Sequence, residues 1–412
     1  MKETTKARIE IGLILLLFIF IMPTRHMVLD FEFWRDWALQ IHRHGLSSIY
    51  NYPTTDYHPL YFYIIWMYDK LQGTEANIIN NLNHLKYFTL VFDFLPIAVL
   101  TCFRQKLVTE RIPYLYLLLN IVYMFNTMVW GQVDAIHTNL LFLAVITAFF
   151  TPIGSSILFA LALAMKPQAI IFIPLLGIIW IYRVKHFLTW PGMVAAILAT
   201  LAAVAIPFIA SGNFDKMWHV VTGAVGRYPF VSVCAFNIWY HIANINPEHT
   251  LDSGTYILFS YRLWGLLMFF TSSGLILLPL LFRLLRLKVQ KHAADKDTMQ
   301  MVMLACGLVS LSFFYFNTQM HERYAHAIII YFFFYGVYSK NYKLYILASI
   351  PYLLSLDKCF PDYLPVKHYK IIWASRVIAI WYSLTVIYAF YEYFRQYKLL
   401  PEYRNLLKAR TP

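Results

Sequence analysis

Apolar segments recur along the chain and are separated by short polar stretches. A helix needs about 20 mostly apolar residues to cross a bilayer. We predict membrane spans near residues 9–23, 84–103, 112–130, 134–151, 154–166, 168–182, 189–210, 254–282, 298–316, 324–339, 342–355 and 370–393. The pattern therefore predicts an all-α polytopic membrane protein with about twelve transmembrane helices.

Two predicted elements need comment. The spans at 154–166 and 168–182 are short, and Pro167 between them is compatible with one bent, proline-broken unit. Residues 58–71 are apolar, but this run is too short to cross, so we expect a helix packed within the first large loop.

The stretch after the first span is predicted to be an amphipathic helix. Its apolar residues recur every four positions, at Leu29, Phe33, Trp37 and Ile41. Three carboxylates, Asp30, Glu32 and Asp36, lie on the same stretch. Tryptophans beside a span favour the membrane interface, so one interpretation is an interfacial anchor with solvated charges. The alternative is an acid held at the membrane surface for chemistry.

Composition supports the membrane assignment. The chain has 412 residues, of which 60% are hydrophobic and 13% charged, whereas a soluble domain carries roughly 25% charged residues. The net charge is +13, which in a membrane protein belongs mainly to cytoplasmic loops. No basic run resembles a nucleic-acid-binding arm, so we expect membrane lipid and no nucleic acid as a partner.

Charge also predicts orientation. The N-terminus carries Lys2, Lys6 and Arg8 before an apolar run without a small-residue cleavage site, which predicts an uncleaved signal-anchor. Alternating from there, basic residues fall in the predicted cytoplasmic loops: Arg104, Lys106, Arg111, Arg183, Lys185, Arg283, Arg286, Lys288, Lys340 and Lys343. We expect both termini in the cytoplasm. Outer loops 24–83, 211–253 and 317–323 would then form the active-site face of a single membrane domain, 1–412.

The outer segments hold most of the unusual polar residues near span ends, and a charge at bilayer depth is by default a functional hypothesis. In the first loop, Asp56 and Tyr57 precede His58-Pro59, where proline starts the apolar helix. Asp56 is a candidate substrate contact, or alternatively a cap for that helix.

The second motif is the tight connection Trp130-Gly131-Gln132-Val133-Asp134, followed by His137. Gly131 permits the turn. Asp134 lies at the start of a helix, where the dipole favours an acid. A cap alone explains Asp134 but neither Gln132 nor His137.

Three further motifs follow. Lys166 and Gln168 flank Pro167 at an outer end, where a lysine suits a phosphate unless it only snorkels. Arg227 precedes a loop in which Asn237 and Trp239 offer sugar contacts or belong to a packed re-entrant loop. His321 and Arg323 are phosphate-type donors that Glu322 would orient.

No metal or cofactor is expected. His321 and Glu322 are residue types that bind metals, but the sequence has no HExxH motif and no second matched cluster. The four cysteines, Cys102, Cys234, Cys306 and Cys359, form no CxxC pair. G-x-S-x-G, P-loop and dinucleotide fingerprints are also missing from the sequence.

The ordered motifs resemble GT-C glycosyltransferases, the polytopic class that uses lipid-phosphate sugars. The nearest likeness is to bacterial mannosyltransferases related to the second GPI mannosyltransferase. The resemblance is carried by Asp30-Phe31-Glu32 with Arg35, Asp56-Tyr57-His58-Pro59-Leu60, Gly131-Gln132-Val133-Asp134, Lys166-Pro167-Gln168, Phe236-Asn237-Ile238-Trp239 and His321-Glu322-Arg323-Tyr324. It covers residues 1 to about 340.

The resemblance implies a GT-C-like bundle in the bacterial inner membrane with a periplasmic active site. It implies inverting transfer of mannose or another hexose from a polyprenyl-phosphate donor to a lipid-linked glycan or other envelope acceptor. The catalytic base of this class maps onto Asp30, although Glu32 and Asp36 lie close by. The competing classes are a polytopic transporter or flippase for a lipid-linked sugar, and a non-catalytic scaffold.

Overall fold

A computed structural model of the protein describes residues 3–102, 112–223, 226–242, 245–360, 371–372 and 374–410. The protein is 77% helical and has almost no strands, which confirms the all-α prediction. Lys2, Arg104, Lys106, Arg111 and parts of the predicted outer segments 211–253 and 356–369 lie outside the described residues.

The helices in the first part of the chain are α1 (Glu3–Phe20), α2 (Val28–His44), α3 (Pro59–Gln72), α4 (Glu75–Asn80), α5 (Leu85–Cys102), α6 (Tyr114–Leu118), α7 (Ile121–Phe125), α8 (Asp134–Ala148), α9 (Pro152–Met165), α10 (Ile173–Arg183), α11 (Thr189–Ala210) and α12 (Phe214–Thr222). The later helices are α13 (Tyr261–Val289), α14 (Lys296–Phe316), α15 (His326–Ser339), α16 (Lys343–Cys359), α17 (Ser375–Gln396) and α18 (Leu399–Arg410). Strands β1 (Thr255–Tyr256) and β2 (Phe259–Ser260) pair antiparallel, with Thr255 opposite Ser260.

Several helices have the length and composition of membrane spans. Within the described ranges, five helical segments are long and apolar enough to cross a bilayer: Leu82–Thr101, Thr189–Ala210, Tyr261–Val289, Lys296–Phe316 and Ser375–Ala409. Each overlaps a predicted span. They are the helices that an integral membrane protein requires, whereas the full number of twelve spans stays a prediction.

Two predicted spans differ in detail from the structure. Residues 112–130 do not form one helix, because the Asn120 side-chain oxygen accepts hydrogen bonds from the backbone N–H groups of Val122 and Tyr123 and starts a new helix there. A π-helical turn, Asn126–Trp130, follows. The predicted span at 254–282 begins instead with the β1–β2 hairpin, and its helix starts at Tyr261.

The chain groups into two compact units. Unit 1 comprises Met1–Thr109, Met124–Ile170 and Lys185–Arg227. Unit 2 comprises Glu110–Tyr123, Ile171–Val184 and Tyr228–Pro412. The sequence alone predicted a single membrane domain, 1–412.

Unit 1 is built on the hairpin of α8 and α9, with α5 packed on α8 and α11 packed on α9. Helix α1 packs along α5. Helices α2 and α3 pack on each other within the first loop, and α3 also contacts α9. The helix predicted at 58–71 is confirmed as α3, and its packing brings the first loop onto the hairpin that carries the second and third motifs.

Helix α2 is confirmed, but only part of its predicted apolar face, Trp37 and Ile41, is buried. Its buried residues are Phe31, Trp34, Trp37, Ala38 and Ile41, whereas Leu29 and Phe33 are exposed. The Trp34 ring packs edge-on against Tyr61 of α3 with centroids 5.6 Å apart, and Trp37 against Phe62 at 5.4 Å. Trp34 and Trp37 are both 1% exposed. They are core residues, so they do not serve as interfacial anchors.

Unit 2 is organised around the antiparallel pair α14 and α15. Gly307 of α14 lets the two helices approach, since a Cβ atom there would lie 2.4 Å from the ring of Phe332 on α15. Helix α13 packs on α14 and on α18, and α17 packs on α14 and α16. Most of the α14 and α15 residues are buried, so this pair is the core of the unit.

Candidate functional site

The centre of the candidate site in unit 1 is the carboxylate of Asp30, in the first turn of α2. Its Oδ2 accepts hydrogen bonds from the indole N–H of Trp130 at 3.1 Å and from the side-chain amide of Gln132 at 2.5 Å. No hydrogen bond to Oδ1 is found among the described residues. One oxygen is therefore oriented by two neutral donors, while the other can accept a proton or a hydrogen bond.

The turn that supplies these donors requires glycine. Gly131 has φ +84°, in the left-handed region, and a Cβ atom there would lie 2.2 Å from the Phe31 ring. The backbone N–H of Met27 donates to the carbonyl of Trp130 at 3.0 Å. This hydrogen bond fixes the start of α2 directly to the turn. The sequence predicted the turn itself but not its attachment to α2.

Lys86 at the start of α5 supports the same junction, and the sequence analysis did not single it out. Its Nζ donates to the carbonyls of Pro23, Arg25 and Met128 at 2.5–2.9 Å. The side chain is 1% exposed. The signal that could have identified it is a lysine at the end of a predicted span. Lys86 falls within the predicted span 84–103 and was therefore counted as part of that span.

Gln132 joins Asp30 to the second part of the first loop. Its side chain is fully buried, and its Oε1 lies 3.4 Å from the Tyr57 hydroxyl, which donates to it. The Tyr57 ring also packs against Trp37 of α2 and Tyr61 of α3, with centroids 5.4 and 5.3 Å apart. The predicted residues Tyr57 and Gln132 therefore belong to one site with Asp30.

Asp134 and Lys166 form a buried ion pair, with Nζ 2.6 Å from Oδ1. Asp134 is the first residue of α8, and Lys166 follows α9 in an extended conformation. The lysine is 7% exposed, so snorkelling to the surface does not explain it. Removing one partner would take away the ion pair of the other buried charge, which is destabilising.

A second ion pair lies nearer the surface. Arg227 approaches Asp56, with Nη2 3.1 Å from Oδ2. Their side chains are 45% and 20% exposed. Asp56 therefore forms an ion pair with Arg227. The sequence had left a helix cap as the alternative role of Asp56.

The other acids of the first loop are separated from the cluster. Glu32 is exposed, and the Arg35 guanidinium pairs with Asp36, its Nη2 lying 2.9 Å from Oδ1. Of the three carboxylates in this stretch, Asp30 is the one that Trp130 and Gln132 hold. Among the described residues, Glu32 and Arg35 make no hydrogen bond or ion pair with Asp30.

His58 is a buried residue of the site that the sequence analysis quoted only as part of a motif. It is 6% exposed, and its Nδ1 lies 3.2 Å from the Leu163 carbonyl, so Nδ1 carries the proton. Nε2 then has a lone pair and no hydrogen-bond partner among the described residues. Burial, with a smaller contribution from the charge of Lys166, lowers the pKa of His58 to about 4.

His137 and Gln168 lie beside these motifs along the chain. His137 belongs to the first turn of α8 and is 8% exposed. Gln168 lies in the short 3-10 helix Pro167–Phe172, which confirms the predicted break at Pro167. The buried Oε1 of Gln168 has no hydrogen-bond partner within the described part of the chain.

In unit 2, Asn237 and Trp239 have structural roles. The Asn237 amide donates to the carbonyls of Phe314 and Asn317 at 3.2 and 3.3 Å, and the Trp239 indole donates to Asn317 at 3.1 Å. Both side chains are buried, at 0% and 2% exposure. These contacts fasten the loop to the end of α14, which favours the packed-loop alternative over a sugar contact.

The last motif is also in unit 2. His321 is 7% exposed and forms backbone bridges with Val233 and Cys234. Glu322 is 4% exposed and lies 3.8 Å from the Arg323 guanidinium. Glu322 therefore lies beside Arg323, and its role in orienting Arg323 and His321 stays a prediction.

The structure tests how these residues come together. In unit 1 it joins Asp30, Tyr57 and Gln132 by hydrogen bonds, and Asp134 with Lys166 and Asp56 with Arg227 as ion pairs. In unit 2 it places Asn237, Trp239 and the motif at 321–323 around the end of α14. Chemically, unit 1 offers an oriented carboxylate, the buried cation of Lys166 and the more exposed cation of Arg227, which suit proton transfer and anion binding.

We predict that His58 makes stability depend on pH. The pKa of His58 in the folded protein, about 4, lies below its ordinary value of 6.5. Between pH 6.5 and pH 4, His58 therefore binds a proton in the unfolded chain but not in the folded protein. The free energy of unfolding should therefore be unaffected above about pH 6.5 and should fall by up to about 3 kcal/mol as pH decreases to about 4. Thermal unfolding in detergent across this range measures it.

The variant His58→Gln keeps an N–H donor for Leu163 but does not titrate, so it should show a shallower loss of stability over this window. His44→Gln, at an exposed position on α2, controls for replacing any histidine. Equal acid sensitivity in the wild type and His58→Gln would show that His58 does not stay neutral in the folded protein.

Comparison with known proteins does not assign a family. No protein-family model matches the chain, and no curated protein is significantly similar to it. A proposal of function therefore depends on the residues of the site.

Proposed function

We propose that the protein is an inverting glycosyltransferase of the GT-C type. It transfers a sugar, mannose or another hexose, from a polyprenyl-phosphate donor to a lipid-linked glycan or other envelope acceptor. The observation that carries the proposal is the Asp30 carboxylate, of which Trp130 and Gln132 hold one oxygen while the other accepts no hydrogen bond among the described residues. The resemblance of the ordered motifs to this class supports the same assignment.

Asp30 acts as the general base. It takes the proton of the acceptor hydroxyl while that oxygen attacks the anomeric carbon. The bond from the anomeric carbon to the phosphate oxygen breaks, and polyprenyl phosphate leaves with the electron pair. A phosphate is already a good leaving group, so the reaction needs no general acid of the kind that paired-carboxylate glycoside hydrolases use.

The developing charge on the phosphate needs cations. The candidates in unit 1 are Lys166, which is paired with Asp134, and Arg227, which is paired with Asp56. The sequence motifs add His321 and Arg323 as candidates. Such groups supply the charge stabilisation directly, so the proposed reaction uses no cofactor.

The proposal also specifies the cellular location and membrane orientation of the protein. About twelve spans, cytoplasmic termini and a periplasmic active site in the bacterial inner membrane follow from the distribution of basic residues and from the resemblance. The five helices that are long and apolar enough to cross a bilayer support the membrane part of this proposal.

A transporter or flippase for a lipid-linked sugar is the competing function, because buried charges such as the Asp134–Lys166 pair also occur along transport pathways. The test uses purified protein in detergent with a panel of polyprenyl-phosphate sugars and acceptors. Sugar transfer without a membrane gradient supports the enzyme. Binding of every donor without transfer would contradict it.

We predict that Asp30→Asn lowers the transfer rate by about 10² to 10⁴-fold, the usual contribution of a general base. Asparagine keeps the size of the side chain and can still accept from Trp130 and Gln132, but it does not take a proton at neutral pH. The protein should remain folded and should still bind the donor. Single-turnover rates at saturating donor measure the loss.

Two matched variants in the same helix decide which acid acts. Glu32→Gln alters an exposed carboxylate, and Asp36→Asn alters one paired with Arg35, so both should stay within a few-fold of the wild type. An inactive Asp36→Asn beside an active Asp30→Asn would mean that the base is the other acid of this helix. Normal turnover of all three variants would remove the catalytic role of the loop.

We predict that Lys166→Ala and Arg323→Ala each lower the rate by about 100-fold, the scale of one preorganised donor to developing charge. The loss should persist at saturating donor, since these groups act on the leaving group. Lys166→Ala also removes the ion pair from the buried Asp134, and breaking a buried pair typically costs about 3–5 kcal/mol of stability.

The double variant Lys166→Ala/Asp134→Asn separates the two effects of the lysine. It also removes the negative charge of residue 134 and should recover much of the stability, measured by thermal unfolding, while the rate stays low. If the double variant recovers the rate as well, Lys166 only neutralises Asp134 and the phosphate role is wrong.

Orientation gives a further prediction. Cysteines placed at exposed Asp215 and Lys185, in predicted outer and cytoplasmic loops, should react differently with a membrane-impermeant thiol reagent in intact cells. We expect added labelling, relative to the parent protein, for Asp215→Cys and none for Lys185→Cys. The reverse pattern would invert the topology and place the acids of the first loop in the cytoplasm.

A further inference from the structure

Unit 2 contains a cluster of metal-ligand side chains that the proposed transfer reaction does not use as a set. The Sγ atoms of Cys234 and Cys359 and a carboxylate oxygen of Glu322 all lie within 4.8 Å of one another. The two cysteines are half-buried, and Glu322 is 4% exposed. Both thiols are reduced in the structure.

We propose that Cys234, Glu322 and Cys359 form a binding site for a thiophilic divalent cation, with Zn²⁺ as the best match. Two thiolates and a carboxylate are ligands that Zn²⁺ accepts, and the fourth tetrahedral position would hold water or a substrate group. This site is independent of the sugar-transfer proposal, because its evidence is the ligand geometry alone.

The separations fit a zinc site. Around tetrahedral Zn²⁺, with Zn–S about 2.3 Å and Zn–O about 2.0 Å, two sulfur ligands lie about 3.8 Å apart and a sulfur and an oxygen about 3.5 Å apart. The donor atoms here are already within 4.8 Å. Closing on a cation requires movements of about 1 Å or less, which side-chain rotations supply.

The fold holds the three ligands from separate elements. Cys234 has φ +55°, in the left-handed region that a non-glycine residue seldom adopts. Its backbone is bridged to His321, the residue before Glu322, and Val233 N–H donates to Met320 O at 2.9 Å. Cys359 is the last residue of α16, and its Sγ lies 3.9 Å from the Cys234 carbonyl.

The left-handed conformation of Cys234 is energetically unfavourable for a residue other than glycine. A left-handed non-glycine residue persists only where the surrounding structure holds it, and such residues gather at functional sites. Here the left-handed turn at Cys234 carries the thiol toward Glu322 and Cys359. A ligand position accounts for the strained residue.

A divalent cation balances most of the charge that its three ligands would carry. In the metal-bound state, two thiolates and the Glu322 carboxylate carry three negative charges, which the cation reduces to one. The Arg323 guanidinium, 3.8 Å from Glu322, offsets the charge that is left. Metal binding would release protons from both thiols, so affinity should rise with pH.

A disulfide between Cys234 and Cys359 is the main competing outcome, since the same closeness of the sulfurs permits it after a small movement. A disulfide would give Glu322 no part in the cluster, whereas a cation uses all three donors. The partial exposure of the thiols also supplies an entry path for an ion.

The experiment uses the purified full-length protein, reduced and stripped of metal, and titrates it with Co²⁺ as an optical probe and Zn²⁺ as competitor. We expect one equivalent of Co²⁺ to give a thiolate-to-metal charge-transfer band, displaced by Zn²⁺, and a rise in melting temperature on adding Zn²⁺. Cys234→Ser and Cys359→Ser should each lose most of the band. Glu322→Gln should keep the band and bind at least about tenfold more weakly.

Cys306→Ser is the matched control, because Cys306 is buried within α14 away from the cluster, and its titration should match the wild type. Size-exclusion profiles check that each serine variant is folded. No band in the folded wild type would overturn the proposal. So would a thiolate band that persists in the Cys234→Ser/Cys359→Ser variant, or two thiols that become reactive only after reduction and reveal a disulfide.

Discussion

The hydrogen bonds between Asp30 and the turn at residues 130–132 hold the candidate site of unit 1 together. Asp30 is half-buried in a chain that is 60% hydrophobic, so donors from the protein replace part of the hydration that its carboxylate loses. Trp130 and Gln132 supply them. Gly131 makes their approach possible, since any side chain at that position would strike Phe31. The start of α2 and the start of α8 are therefore positioned by one set of contacts.

Periodicity predicted the helix at the first loop but not the side that it buries. The repeat at Leu29, Phe33, Trp37 and Ile41 is real, yet Leu29 and Phe33 are exposed while Phe31 and Trp34 are buried. In a soluble protein, an apolar stripe identifies the core. In a membrane protein, lipid is as apolar as the core, so polarity alone does not separate the two faces. Contacts with Tyr61 and Phe62 of α3 determine which face of α2 is buried.

The same limit applies to the site. The sequence could show that polar motifs gather near the ends of apolar segments, because polarity there is rare. It could not show which groups pair, such as Asp134 with Lys166, because the pairing depends on how α8 and α9 turn back on each other. It also missed Lys86, which looked like a residue within a span, and it did not connect Cys234 with Cys359, which lie far apart along the chain.

The two buried lysines of unit 1 show how chemistry can be separated from architecture. Lys86 binds three backbone carbonyls at the junction of α2, α5 and the turn, so its charge is used to satisfy acceptors that have no other function. Lys166 instead meets a carboxylate. A buried ion pair is weak evidence for stability, because well-packed apolar residues of similar volume often serve at least as well. Stability alone therefore does not account for the Asp134–Lys166 pair. Under the proposed function, the anionic donor gives the pair a role, because the charge of its phosphate would enter the balance at Lys166 when it binds.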